Sequence, residues 1–487
     1  MNNPNATRTI CYKFRFDANN ARDFVIHLDS KTLDILQEPK DSYPEWTKLS
    51  YQKCANCPLN EKEHEYCPIA MKLVDTVDFF NKPLKFKSVD LRVETLERVF
   101  SKKVGLKPAA VSLMGIYMAT SGCPIMDKLR PMVRHHLPLA TTSETAYRSI
   151  ANYLIEQYLS AQRGKNPDWE LKNLGKIYDA IKIVNTYFRE RLLKISRADY
   201  ALSAILALDA FAYYINLSLI GDTFYTIESL FDEDLQIRSI SFDTATDENL
   251  PDNIITYQYQ FIFDNNDTKE FTHRIDTETL KLINPGRESF PSWAKLGCHK
   301  CPNCPLDESQ HQYCPAAAGI SEAIESLSEI LTVDKVDVLV KTAERDFSKF
   351  TTVSEGLSSM VSLVLASSGC PIFGRLKPLV RNHLPFESPI EQVYRSLGMY
   401  LSYQKFSGKY KDNPDWSLSH FTKFYEEINT ASEAFCSRLR EIPIAKVGLN
   451  ILTKLDCFTK YIDFKISDEN ITELQRLFEK SILRNTI

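Results

Sequence analysis

The sequence lacks most of the features that would make its function plain. It has no excess of positive charge: 59 Lys plus Arg stand against 63 Asp plus Glu, a formal net charge of -4 at pH 7 over 487 residues. A chain built mainly to neutralise nucleic-acid phosphates carries the opposite balance, so nucleic acid is not the expected partner. The first residues, Met1-Asn2-Asn3-Pro4-Asn5, hold neither the basic n-region nor the apolar h-region of a secretory signal. The expectation is therefore a cytoplasmic chain with reduced cysteines. Gly-rich phosphate loops, nucleophile elbows, zinc-protease helices and paired catalytic carboxylates are all missing. With 44% hydrophobic and 25% charged residues the composition excludes a disordered or collagen-like chain.

What is present is a repeat. Cys54-Ala-Asn-Cys57-Pro-Leu-Asn-Glu-Lys-Glu-His64-Glu-Tyr-Cys67-Pro returns as Cys301-Pro-Asn-Cys304-Pro-Leu-Asp-Glu-Ser-Gln-His311-Gln-Tyr-Cys314-Pro, at an offset of 301 − 54 = 247. Without a gap the offset also maps Tyr12, Phe14 and Phe16 onto Tyr259, Phe261 and Phe263. It maps Ser121-Gly-Cys123-Pro onto Ser368-Gly-Cys370-Pro, and Asn166-Pro-Asp-Trp169 onto Asn413-Pro-Asp-Trp416. The chain reads as a tandem duplication: a first domain over residues 9–238, an acidic linker over 239–255 and a second domain over 256–485. The two copies are expected to form an intramolecular pseudo-dimer.

Within one copy, Tyr12, Phe14 and Phe16 alternate, as do Phe24, Ile26 and Leu28 across Ala18-Asn-Asn, which predicts a β-hairpin. Val89 to Val93 predicts another strand, and Thr32 to Leu36 a short one. Beyond about Pro108 the apolar spacing turns helical, over 108–120, 125–135, 143–162, 171–194 and 199–219. The fold class is therefore α+β: two tandem homologous domains, each a small antiparallel sheet with a Cys/His metal loop followed by a helical bundle. Ala201 to Ile220 approaches membrane-spanning length, but its counterpart, Gly448 to Ser467, carries Lys454, Asp456, Lys460, Asp463 and Lys465. Both are read as core helices, with Asp209 a satisfied polar group or a helix-face charge and no membrane as partner.

Eight of the 12 cysteines are retained between copies: Cys54, Cys57, Cys67 and Cys123, and Cys301, Cys304, Cys314 and Cys370. Cys-x2-Cys lets two thiolates of one turn bind a single ion, and two further ligands close a tetrahedron. Zinc, two ions per chain, is the first expectation. Two ligand sets are open: Cys54, Cys57, His64 and Cys67 (with Cys301, Cys304, His311 and Cys314 in the second copy), or the four cysteines with Cys123 and Cys370 in place of the histidines. An iron–sulfur cluster is the alternative, since Cys298-x2-Cys301-x2-Cys304 has ligand spacing, although Tyr51 stands where Cys298 does. Unmetallated thiols are a third reading. Gly122 and Pro124 place Cys123 at a helix start, where the dipole lowers a thiol's pKa.

Arg134, His136 and Arg148, retained as Arg381, His383 and Arg395, form a second candidate site. Two arginines and a histidine suit a small anionic ligand or acid–base work. The competing reading is structural. Thr141-x-x-Glu144 and Ser388-x-x-Glu391 are capping boxes, a Glu-Arg pair at i, i+4 suits a salt bridge, and His136 can cap a helix end or support the metal ligands.

Taken together, the Cys-x2-Cys-Pro-Leu…Tyr-Cys-Pro loop, Ser-Gly-Cys-Pro, Arg-x-His-Leu-Pro and Pro-Asp-Trp resemble a family of bacterial Cys-rich domains, each about one repeat long. The resemblance covers both halves and implies a bacterial, cytoplasmic setting with no activity to carry over. The functional expectation is a metal-stabilised tandem-repeat protein that binds or regulates an unknown protein or small anionic ligand. The alternatives are an enzyme acting on a small anion through the Arg/His cluster, and an iron–sulfur or thiol redox sensor.

Overall fold

Alternation in the sequence becomes alternation of burial. In β1 (Thr7–Arg15) Ile10, Tyr12 and Phe14 are buried, and in β2 (Ala21–Asp29) Phe24, Ile26 and Leu28, so one face of the hairpin is core. Asp17 Oδ1 accepts the N–H groups of Asn19 and Asn20 at 2.9 and 2.8 Å, closing the turn that sets Tyr12 opposite Phe24. The computed structural model describes residues 7–82, 86–195, 199–220, 253–283, 287, 289–327, 334–406 and 413–442. Its two units are taken one at a time.

In the first, β3 (Ser88–Glu94) pairs antiparallel with β1, and β4 (Val99–Gly105) with β3, giving the order β2-β1-β3-β4. Thr32–Leu36 contributes a single bridge, Leu28 with Ile35, rather than the short strand expected. The helices are α1 (Pro68–Phe80), α2 (Leu106–Thr120), α3 (Arg130–Arg134), α4 (Thr142–Gln162), α5 (Lys172–Leu193) and α6 (Asp199–Ile220), with a 3-10 turn at Met126–Leu129 ahead of α3. Helix α1 lies between the strands in sequence, where the strands-first reading had none. The buried sheet face packs on α1 and α2: Phe14 meets Phe79 and Phe80 at ring distances of 6.2 and 5.9 Å, and Tyr12 reaches Ser112. Helix α6 packs on α5 and α2.

The second unit repeats this order. β5 (Ile254–Ile262), β6 (Thr268–Asp276), β7 (Lys335–Lys341) and β8 (Asp346–Thr352) pair as β6-β5-β7-β8. They are joined by α7 (Pro315–Leu327), α8 (Val353–Ser367), α9 (Pro378–Arg381), α10 (Pro389–Phe406) and α11 (Ser419–Arg440). Residues 239–252 of the linker and the Gly448 to Ser467 stretch lie outside the described residues, whereas Ile254 and Ile255, assigned to the linker, open β5. No helix among the described residues is long and apolar enough to cross a membrane. Asp209, on α6, is half-buried, and its Oδ1 has no hydrogen-bond partner among the described residues.

The repeat extends to backbone strain. Leu33, Leu139 and Leu171 hold positive φ values of 55°, 56° and 58°, and their counterparts Leu280, Phe386 and Leu418 hold 51°, 58° and 63°. Such angles cost a bulky residue energy, and burial of Leu33, Leu171, Leu280, Phe386 and Leu418 offsets it. Gly122 and Gly369, at 89° and 86°, end α2 and α8 in the left-handed turn that delivers the next cysteine.

Candidate metal centre

Three separated segments bring the retained cysteines together. The Cys-x2-Cys turn is closed by Cys57 N–H donating to Cys54 O at 3.0 Å, and by the same bond between Cys304 and Cys301. Asn56 anchors the turn to α5 by donating to Ala180 O at 2.9 Å, and Asn303 does the same to Glu427 O on α11 at 2.8 Å. Cys67 is the N-cap of α1, held by its N–H on Thr47 O at 2.7 Å. Cys123 follows the Gly122 turn. In the first repeat a cavity of about 20 Å³ is lined by Cys54, Cys57, Cys67 and Cys123, together with Ile125 and Arg191.

The electrostatics describe the same grouping. Burial, then the neighbouring Cys67, Cys123 and Cys57, pushes the Cys54 thiol up to about 12. Burial, then Cys314, Cys370 and Cys304, does the same to Cys301. Cys67 takes backbone N–H groups of Ile69 and Ala70, and Cys123 those of Ile125 and Met126. These donors favour the thiolate, as a helix start should. Burial outweighs them, so the Cys123 thiol stands at about 12 and Cys370 at about 11, against the lowering expected from sequence. Eleven cysteines among the described residues are free of disulfides.

His64 and His311 are exposed, and His64 does not line the cavity. Their N–H groups donate to Asn60 O and Asp307 O at 2.9 Å in tight turns. Among the described residues, no three or more His, Cys, Asp or Glu side chains are spaced to hold a metal ion. The thiols line one cavity without closing on a coordination sphere.

The sequence reading missed the cation beside them. Arg191, on α5, is 1% exposed and donates to four carbonyls: Trp46, Lys48 at 2.7 Å, Leu49 at 3.4 Å and Gln52 at 2.7 Å. Arg438, its counterpart at 191 + 247, donates to Trp293 at 2.9 Å, Lys295, and Leu296 at 3.1 Å. Each guanidinium fixes the segment leading into the Cys-x2-Cys turn and lowers the pKa of a nearby thiol. The only advance signal was its retention at the 247 offset.

The Arg-His residues lie elsewhere. Arg134 donates to Ser30 O at 2.8 Å and Arg381 to Thr277 O at 2.6 Å. Arg148 donates to Met132 O and His135 O at 2.9 and 2.7 Å. Arg395 donates to Leu379 O at 3.1 Å and Asn382 O, and pairs with Glu387 at 2.7 Å. His136 meets the Tyr12 hydroxyl at 2.5 Å and His383 that of Tyr259 at 2.7 Å. The Thr141–Glu144 capping box forms, with its bonds at 3.2 and 2.7 Å, and Ser388 with Glu391 repeats it.

The family described as Domain of unknown function (DUF6901) matches the chain twice, over residues 10–232 and 255–479. The chain belongs to that family. Both DUF6901 stretches contain the four cysteines and the buried arginine described above, so each copy carries the whole arrangement. No curated protein and no solved structure matches the chain.

Proposed function

We propose that each repeat folds around one zinc ion held by four cysteine sulfurs, and that the chain is a tandem-repeat binding or regulatory protein. Cys54, Cys57, Cys67 and Cys123 would hold the first ion, and Cys301, Cys304, Cys314 and Cys370 the second. The observation that carries the reading is the convergence of four thiols, from three segments, on one small cavity beside a buried arginine. Closure requires the side chains to turn inward on the space they already line.

The donor set suits the ion. Four thiolates around a divalent cation leave two negative charges to be offset in a buried place. Arg191 supplies one positive charge, and the N–H groups on Cys67 and Cys123 supply further donors. A site with four protein ligands has no vacancy for a substrate, so the metal would cross-link the fold. In the Arg-His cluster the arginines bond main-chain carbonyls, which favours packing over acid–base chemistry.

Elemental analysis of the anaerobically purified chain tests this. About two zinc ions per chain, with a fall in thermal stability on chelation, is the expected result. A metal-free protein indifferent to chelators would overturn it, and a brown preparation containing iron would replace zinc by a cluster.

A further inference from the structure

We infer that Cys298 and Cys301 of the second repeat are a peroxide-reactive thiol pair, whose disulfide takes one ligand away from that repeat's metal centre. The effect on the metal rests on the four-sulfur reading of the centre. The chemistry of the pair does not.

Three half-buried thiols share one segment here, Cys298, Cys301 and Cys304, whereas Cys314 and Cys370 are buried. Four sulfurs fill a tetrahedral set, so Cys298 is a fifth thiol beside it. Two residues separate Cys298 from Cys301, the spacing of the Cys-x2-Cys pairs that close and reopen disulfides. The backbone between them bends sharply. Cys298 N–H donates to Lys295 O at 3.1 Å, and His299 then holds a φ of 44°, in the left-handed region. Cys301 Sγ donates to Ala431 O on α11 at 3.6 Å, a weak bond that the sulfur gives up readily.

The first repeat is the internal control. Tyr51 stands where Cys298 does, with the Arg191 guanidinium 5.9 Å and the Lys194 ammonium 5.5 Å from its ring centre. Gln52, the counterpart of His299, is extended at φ −158°, and its carbonyl accepts from Arg191 at 2.7 Å. Among the described residues Arg438 donates to three carbonyls, and that of His299 is not one of them. The first repeat therefore has an aromatic ring and a gripped carbonyl where the second has a thiol and an ungripped bend.

The reaction takes hydrogen peroxide as its oxidant. Cys298 sulfur attacks one peroxide oxygen: an S–O bond forms, the O–O bond breaks, and the thiol proton leaves with the other oxygen as water. Cys301 sulfur, off the ion, then attacks the sulfenic sulfur. The S–S bond forms, the S–O bond breaks, and the departing hydroxide takes a proton to give a second water. Two electrons pass from the two sulfurs to the peroxide, and the ion is left with three thiolates.

Peroxide treatment of the full chain, followed by alkylation and peptide mapping, tests the pair, and a chelating dye follows zinc. The expected disulfide is Cys298–Cys301, reversible by dithiothreitol, with about one of two zinc ions released first. Cys298→Ser should keep both ions and slow that first release by at least about fivefold, to the pace of the first repeat. Tyr51→Cys should bring the first ion's release up to the faster pace. A first disulfide between any other two cysteines, or an unchanged release rate in Cys298→Ser, would overturn the inference. If the chain purifies without zinc, the four-sulfur reading fails by itself, and the mapped disulfide still decides the thiol pair.

Discussion

The Tyr12 hydroxyl stands 2.5 Å from His136 Nε2, and the pair recurs as Tyr259 and His383 at 2.7 Å. Burial, with Arg148 and Arg8 nearby, pushes the His136 pKa down to about 3, and burial pushes the Tyr12 hydroxyl up. The imidazole is therefore neutral, and its tautomer sets which of the two groups donates; the phenol also reaches Ser112 O at 3.1 Å. Ser112 Oγ stands 2.8 Å from the phenol oxygen and takes the Leu139 N–H at 3.2 Å. The network ties β1, α2 and the strained turn at Leu139 together.

A pH dependence follows from that neutral ring. An unfolded histidine titrates near about 6.5 and the folded His136 near about 3, so the unfolded chain binds the extra proton between these values. Stability is full above about 6.5 and is lost as pH falls through the window. His273, which burial lowers to about 4, acts in the same direction. His136→Gln keeps an acceptor and removes the titration. Urea denaturation between pH 6.5 and 4.5 should show a shallower loss than in the parent, and parallel losses would clear His136 as a source.

Arg191 should be among the costliest single positions in the first repeat. Arg191→Met leaves the carbonyls of Trp46, Lys48 and Gln52 without their donor, and an unmet buried polar group costs about 1–3 kcal/mol. A loss of about 3 kcal/mol or more is expected. Arg191→Lys keeps the charge but not the fork, and should recover less than half. Calorimetric unfolding reads both, and a lysine variant as stable as the parent would show that charge alone matters.

These residues show how far sequence reaches. The hairpin, the helix limits and the capping boxes were legible because local periodicity and Thr141-x-x-Glu144 encode them locally. Helix α1 is hard to read although Ile69, Ala70, Leu73, Val74, Val77 and Phe80 have helical spacing, because it starts at Pro68, directly after the candidate ligand Cys67, where the loop motif dominates the pattern. β4 was missed because Val99–Gly105 buries little beyond Phe100. Arg191 could not be read locally: it stands among charged residues on a helix, and its acceptors lie 139 to 145 residues away. The six-residue spacing that made His64 a candidate ligand carries no information about which way the turn faces.

The capping box offers a calibrated check on the fold. Thr141→Ala removes the acceptor for the Glu144 N–H at 3.2 Å and should cost about 1 kcal/mol, while Thr141→Ser should restore most of it. Equal losses in both variants would place the effect of Thr141 in its methyl group.

The two candidate ligand sets differ in one residue per repeat, which makes them separable by substitution. Cys123 stands at the cavity with the other three thiols, whereas His64 is exposed on the turn before Cys67. If four sulfurs bind the ion, Cys123→Ser should lower zinc content from about two ions per chain to about one, and with Cys370→Ser to about none. His64→Ala with His311→Ala should leave both ions in place. The thermal transition should follow the metal, because a closed site contributes its binding energy to folding. Full retention of zinc in the double serine variant, with loss in the double alanine variant, would reverse the assignment and require the exposed turn to fold back over the cavity.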